Sequence, residues 1–128
     1  MTDLDEKLKV GLRDLGEDPN AHPCAVYLAY LELLRKWGRA YNLTGVREPG
    51  RMLAYHVLDS LSLLPFLRGK RCLDLGTGAG LPGLILALAR PDLHWVLLDS
   101  NRKKIRFLNR ALGSFAVKNA EVVQDRVE

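Results

Sequence analysis

Apolar positions recur at a helical period through the first half of the chain, then shift to short strand-like runs separated by turn residues in the second half. Leu4, Leu8, Leu12 and Leu15 fall on one helical face, with Gly16 standing where a C-terminal cap belongs. Beyond Pro19 and Pro23, one face of a longer helix collects Tyr27, Tyr30, Leu31, Leu34, Trp37 and Tyr41. Asn42-Leu43-Thr44-Gly45 breaks that pattern. Pro49 suits the first turn of a third helix, running through Leu53, Val57 and Leu61 to about Leu64, before Pro65.

After Lys70-Arg71, the run Cys72-Leu73-Asp74-Leu75 predicts a short strand ended by Gly76. A glycine-rich turn leads into an apolar helix from about Pro82 to Ala89, closed by Arg90-Pro91-Asp92. His94 to Leu98 predicts a second strand, Asp99-Ser100 the cap of a helix from about Asn101 to Phe115, and Ala120 to Gln124 a third strand. Strand, helix, strand, helix, strand specifies a parallel α/β half-sheet with right-handed crossovers. The expected organisation is a helical segment over residues 1–66 followed by an α/β unit over 67–128.

Composition narrows the class. A chain of 128 residues with 48% hydrophobic content can bury a core, which excludes general disorder. No apolar run reaches the ~20 residues of a membrane helix. The acidic start Met-Thr-Asp-Leu-Asp-Glu lacks the basic and apolar regions of a secretory signal. Cys24 and Cys72, far apart and outside any CxxC, suit a reducing compartment as small buried hydrophobes. The expectation is a cytoplasmic protein with no membrane span. The net charge of +4 lies wholly in the second half, since residues 1–69 balance nine Lys and Arg against nine Asp and Glu. Arg102, Lys103, Lys104, Arg106 and Arg110 fall within nine residues, a surplus that permits a polyanionic partner.

The chemistry centres on Asp74-Leu75-Gly76-Thr77-Gly78-Ala79-Gly80, placed between a strand and a helix, where a doubly wound sheet docks nucleotide-type ligands. Glycines there let the backbone take positive φ and approach a ligand closely. Asp99 follows Gly80 by 19 positions at the next strand end, the place for a carboxylate that accepts from two ribose hydroxyls. The G-x-G-x-G spacing is tighter than the G-x-G-x-x-G of dinucleotide sites, and Asp74 would repel a pyrophosphate while suiting an ammonium group. A nicotinamide oxidoreductase is the reading this disfavours. The spacing resembles the first motif of S-adenosylmethionine-dependent methyltransferases.

Five segments carry a narrower resemblance: Trp37-Gly38-Arg39-Ala40-Tyr41-Asn42-Leu43-Thr44, His56-Val57-Leu58-Asp59-Ser60-Leu61, Asp74 through Gly83, Leu98-Asp99-Ser100 and Arg126-Val127-Glu128. In this order and spacing, from about residue 25 to residue 128, they resemble the small-subunit ribosomal RNA guanine-N7 methyltransferases, the RsmG or glucose-inhibited division protein B family. The resemblance implies a Rossmann-like class I methyltransferase fold, here its first half with an N-terminal helical segment. It implies S-adenosylmethionine as cofactor and guanine N7 of 16S ribosomal RNA, near the decoding centre of the small subunit, as acceptor. By residue, it implies Gly76, Gly78 and Leu81 around the methionine and ribose, with Asp74 near the ammonium group. It further implies Asp99 at the ribose and Val127 and Glu128 at the adenine. Asn42, His56 and Asp59 match segments on the family's substrate side.

Plainer roles stand beside these. His56 and Asp59, three apart on one helix, could pair with each other, and two such residues without a third ligand make no metal site. Trp37 and Tyr41 suit a core as well as a base-stacking platform. Arg102, Arg106 and Arg110 share one face opposite Ile105, Leu108 and Leu112, the pattern of a solvated outer helix or of a phosphate-binding one. No general acid or base is expected, because guanine N7 offers an unprotonated lone pair. In the expected strand order 3-2-1-4-5, the first strand is central, and this sequence stops after the third. The chain therefore reads as a methyltransferase fragment with one bare sheet edge, prone to self-association, and short of the strands that would complete catalysis. The alternative is a non-catalytic module that binds RNA or the ribosomal subunit.

Overall fold

The computed structural model describes residues 3–41, 48–75 and 82–125, and the side chains of 39–41 are outside that description. Three N-terminal helical elements precede a three-stranded parallel sheet. The first helix, α1 (Asp3–Asp14), opens with Asp3, Asp5 and Glu6 and closes with Arg13, charges that complement its dipole. Gly16 at φ +80 and the Glu17 N–H to Leu12 C=O bond close it in a glycine-capped turn. A single 3₁₀ turn, Pro19–Ala21, follows, capped by the Asp18 carboxylate on the Asn20 N–H. His22 then bridges the Tyr27 hydroxyl at 2.7 Å and Glu17 Oε1 at 2.8 Å, tying this connection to α2 (Cys24–Tyr41).

The third helical run, α3, spans residues 49–61 and differs from the regular helix its periodicity predicts. Pro49–Met52 is α-helical, Leu53–Leu58 makes a π turn and Asp59–Leu61 returns to α. The Asp59 N–H accordingly donates to the Ala54 carbonyl, five residues back. Glu48 caps the start through both carboxylate oxygens, on Gly50 N–H and Arg51 N–H.

The sheet comprises β1 (Arg71–Leu75), β2 (His94–Asp99) and β3 (Ala120–Gln124), in the order β1-β2-β3 and all parallel. The helix α4 (Gly83–Ala89) links the first pair and α5 (Arg102–Ser114) the second. Asn101, rather than Asp99 or Ser100, caps α5, its side chain accepting from Lys103 N–H and Lys104 N–H. Asp99 Oδ1 instead accepts from the Asn101 N–H at 2.8 Å, which sets the turn just ahead of that cap.

One hydrophobic cluster joins the two halves. Leu8, Leu12, Tyr27, Tyr30 and Leu34 from α1 and α2 share it with Leu84 and Leu86 of α4, Leu97 of β2, and Phe107, Leu108 and Ala111 of α5. Phe107 meets Tyr30 with centroids 6.1 Å apart and the edge of Trp37 at 5.8 Å, so Trp37 packs on the core rather than offering a free stacking face. Cys24 and Cys72 are free thiols and only half-buried.

Side-chain alternation divides the sheet. Trp95, Leu97 and Asp99 are buried on the helix-covered face, whereas Leu73 and Leu75, on the other face of β1, are 57% and 53% exposed. Among the described residues, β1 has no strand on its outer edge. Parallel strands are normally covered on both faces, so this apolar face is unusual. No helix of the described residues is long and apolar enough to cross a membrane.

Candidate functional site

The sheet brings two carboxylates to the C-terminal ends of neighbouring strands. Asp74 pairs in register with Leu97, and Asp99 closes β2 two residues later. Alternation puts both on the helix-covered face, with Asp99 only 7% exposed. Asp74 Oδ2 accepts from the Gly83 N–H at 2.9 Å, so the carboxylate spans the glycine turn and fastens its far end, the first residue of α4, to β1. A Cβ on Gly83 would lie 2.5 Å from Leu97 Cδ2 and 2.7 Å from Asp74 Oδ2. Glycine at this position therefore lets helix and strand approach, the role of the third glycine in nucleotide-binding turns.

The second carboxylate is held as firmly. Asp99 accepts from Asn101 through its side chain, and its carbonyl accepts from the Asp125 N–H at 3.1 Å. Two anchored carboxylates at adjacent strand ends suit a ligand that offers an ammonium group and hydroxyl donors, and they disfavour a diphosphate. These two acceptors fit the ammonium and hydroxyl donors of a ligand such as S-adenosylmethionine. Asn42, Gly76, Gly78, Leu81, Val127 and Glu128 lie outside the described residues.

Beside Pro82, α3 and the residues just after it frame a hollow of about 300 Å³ lined by Tyr55, Asp59, Ser60, Ser62, Leu63 and Pro82. Asp59 is exposed at this hollow, and His56 is half-buried in the π turn. Burial pushes the His56 imidazole below its ordinary value, partly offset by a backbone hydrogen bond at Tyr55. Ser60 is buried and its hydroxyl donates to the His56 carbonyl at 2.6 Å, while the Ser62 hydroxyl donates to the Asp59 carbonyl. Among the described residues no ion pair joins His56 to Asp59. No group of three metal-ligating side chains occurs among them.

Of the residues lining this hollow, Tyr55, Ser62 and Leu63 stand outside the sequence motifs. Tyr55 is 57% exposed and carries the Arg51 guanidinium 5.7 Å from its ring centroid. An aromatic one position off the apolar face of α3 was its available signal. Pro82 and Gly83 do open the helix that the sequence predicts, and the packing of Gly83 against β2 adds a role that the pattern alone does not carry. A larger hollow of about 440 Å³, lined in part by Pro91, Ala116 and Asn119, lies at the opposite ends of the strands, away from the carboxylates.

A parallel sheet with a glycine-rich motif after its first strand and an acidic residue closing its second is the arrangement of part of a Rossmann-like methyltransferase fold. The model of one such family, rRNA small subunit methyltransferase G (GidB), matches residues 24–128, and the chain belongs to this family. It is 51% identical over 125 residues to the ribosomal RNA small subunit methyltransferase G of Laribacter hongkongensis, covering 98% of this chain and 60% of that protein. The proteins of the same name from Escherichia coli and Shigella boydii are each 46% identical over 122 residues, covering 95% of this chain and 59% of theirs. The chain thus spans about 60% of the length of these curated relatives.

Proposed function

We propose that this chain supplies the cofactor-binding half of an S-adenosylmethionine-dependent methyltransferase acting on guanine N7 of 16S ribosomal RNA. The observation that carries this reading is the pair of anchored carboxylates, Asp74 and Asp99, at the ends of neighbouring strands, with the Gly76-Thr77-Gly78-Ala79-Gly80 motif following the first of them in sequence. The names of the relatives supply the RNA and the small subunit. The base and its atom come from the motif resemblance.

S-adenosylmethionine, when bound, supplies a methyl group on a positively charged sulfur. Asp99 is proposed to accept from ribose hydroxyls and Asp74 to face the ammonium group; the backbone N–H bonds from Asn101 to Asp99 and from Gly83 to Asp74, which fix both carboxylates, support this. Gly76, Gly78 and Leu81 are proposed for the methionine and ribose, and Val127 and Glu128 for the adenine edge. Asn42, His56 and Asp59 are proposed for the acceptor side, with the α3 hollow adjoining the turn at Pro82. Guanine N7 carries a lone pair and no proton, so no side chain has to remove one. Alignment of the acceptor and tolerance of the positive charge arriving on the base are the protein's contributions. The half-buried His56, whose imidazole is pushed below its ordinary value by burial, fits that second requirement, because an imidazolium beside the base would oppose the incoming charge.

The test is label transfer from S-adenosylmethionine to unmodified 16S ribosomal RNA in small subunits, read by chemical cleavage at 7-methylguanosine. Label in 7-methylguanosine at one guanine is expected when the strands beyond the third are also supplied, and cofactor binding without transfer is expected of the 128-residue half alone. Label on another atom would overturn the N7 assignment, and RNA binding that ignores the cofactor and transfers nothing would leave the binding-module alternative.

A further inference from the structure

From Ser100 to Ala120 the chain carries six Lys and Arg and no Asp or Glu. Most of these cations belong to α5, and the local rules of helix stability argue against them there. Its first turn holds Arg102, Lys103 and Lys104 and no acid, so three cations face the positive end of the helix dipole. The contrast is α1, whose first turn has Asp3, Asp5 and Glu6. Elsewhere in the fold Lys9, Arg35 and Arg90 pair with Asp5, Glu32 and Asp92. Among the described residues, Arg102, Lys104, Arg106 and Arg110 enter no ion pair. A charge pattern that opposes the fold locally, without evident compensation, marks a functional surface.

Geometry sorts these cations into a track. Ile105, Phe107, Leu108 and Ala111 are buried in the core, and Arg102, Arg106 and Arg110 are exposed on the outer face. At successive four-residue steps they rise about 6 Å each along the helix. The track begins at Asn101, two residues beyond Asp99, and so starts at the cofactor end of the sheet. Arginine presents a planar fork that binds phosphate oxygens in pairs. No large apolar side chain is exposed anywhere on α5, which disfavours a lipid surface, since interfacial helices insert apolar residues.

We propose that the outer face of α5, through Arg102, Arg106 and Arg110, binds the phosphate backbone of the substrate RNA and orients it toward the strand ends. This inference rests on the RNA-methyltransferase reading above and adds the surface that holds the RNA. The experiment compares two triple variants of the chain. One is Arg102→Gln, Arg106→Gln and Arg110→Gln. The other is Lys7→Gln, Arg13→Gln and Lys36→Gln, which removes equal charge from α1 and α2. Anisotropy of a fluorescein-labelled single-stranded RNA is titrated with each protein over a range of salt. Thermal melts, and calorimetric titration of S-adenosylhomocysteine, are run alongside.

The α5 variant is expected to keep its melting temperature and cofactor affinity. Its RNA affinity should drop about tenfold at low salt, and its log–log salt slope should shrink by about 2, since three lost phosphate contacts remove ~0.7 each. The α1 and α2 variant should change both far less. Equal losses in the two variants, or no loss in either, would overturn the proposal, as would a loss confined to binding of anionic phospholipid vesicles. RNA binding through α5 without any binding of S-adenosylhomocysteine would sustain this surface while contradicting the enzymatic reading. Binding of S-adenosylhomocysteine with unchanged RNA affinity in the α5 variant would do the reverse.

Discussion

The Gly83 N–H donates to Asp74 Oδ2 at 2.9 Å, and the space that a side chain on Gly83 would need is already filled by that carboxylate and Leu97. One residue thus supplies the hydrogen bond and, by lacking a Cβ, the close approach. The relationship ties β1 to the first residue of α4, so it governs both packing and the proposed cofactor site.

Gly83→Ala should therefore destabilise the chain by about 1–3 kcal/mol, the usual cost of overpacking a filled site. Leu97 and the anchored carboxylate are both constrained, and neither can yield cheaply. Chemical denaturation followed by circular dichroism measures the shift. A Gly83→Ala variant as stable as the parent would show that the helix can slide away from β1.

Asp74 separates two roles. Asp74→Asn keeps an acceptor oxygen for the Gly83 N–H but removes the charge proposed to face the ammonium group. Stability should change by less than about 1 kcal/mol, while affinity for S-adenosylhomocysteine falls about tenfold, in line with the loss of one charge-assisted hydrogen bond. Asp74→Ala should lose both. Retained affinity in Asp74→Asn would restrict this carboxylate to holding the turn.

Tyr27 and Tyr30 make alkaline stability a further test. Burial pushes both phenols well above their ordinary range, for Tyr30 by burial alone and for Tyr27 with added repulsion from Cys24 and Glu17. The folded chain keeps them protonated while the unfolded chain ionises near pH 10. Their contribution is complete below that pH and is lost progressively as pH rises toward the folded-state values. Denaturation midpoints measured from pH 8 upward should fall above about pH 10. Tyr30→Phe should flatten that fall, and an equally steep fall in the variant would place its origin elsewhere.

Asn119 stands at the entrance to β3 with its amide nitrogen 2.9 Å from the carbonyls of Ala87 and Leu93 and 3.2 Å from that of Arg90. Asn119→Ala should cost about 1–3 kcal/mol by leaving those acceptors unmatched. Asn119→Asp should cost more, because a carboxylate replaces a donor in front of three oxygens. The reverse order in thermal melts would mean that water satisfies these carbonyls.

Much of this fold was legible from the sequence because it follows from periodicity. The Leu8 and Leu12 face, the Tyr27, Tyr30 and Leu34 face and the bounds of β3 all rest on repeated burial along one element. Features set by a single residue or a distant contact were hidden. The π turn in α3 leaves the apolar spacing of Leu53, Val57 and Leu61 almost unchanged, so no pattern announced it. Asn101 and Asp99-Ser100 are all good cap residues, and only the backbone path decides among them. The bond between Asp74 and Gly83 crosses nine residues, and the three carbonyls on Asn119 lie 26 to 32 residues away. At the candidate site, Asp74 and Asp99 were legible as candidates because strand ends after a glycine turn have a fixed chemistry. Tyr55 was not, because one exposed aromatic on a helix has no period.

The central claim is that the strand ends of this half-sheet hold S-adenosylmethionine. Calorimetric titration of S-adenosylhomocysteine into the purified chain tests it directly, with Asp99→Ala and Gly76→Val alongside. The account predicts binding at one site per chain, weakened at least about tenfold by Asp99→Ala, as expected for a carboxylate that loses paired hydroxyl donors, and abolished by Gly76→Val. A chain that melts cooperatively yet binds no S-adenosylhomocysteine, or binds it equally well in all three forms, would contradict it.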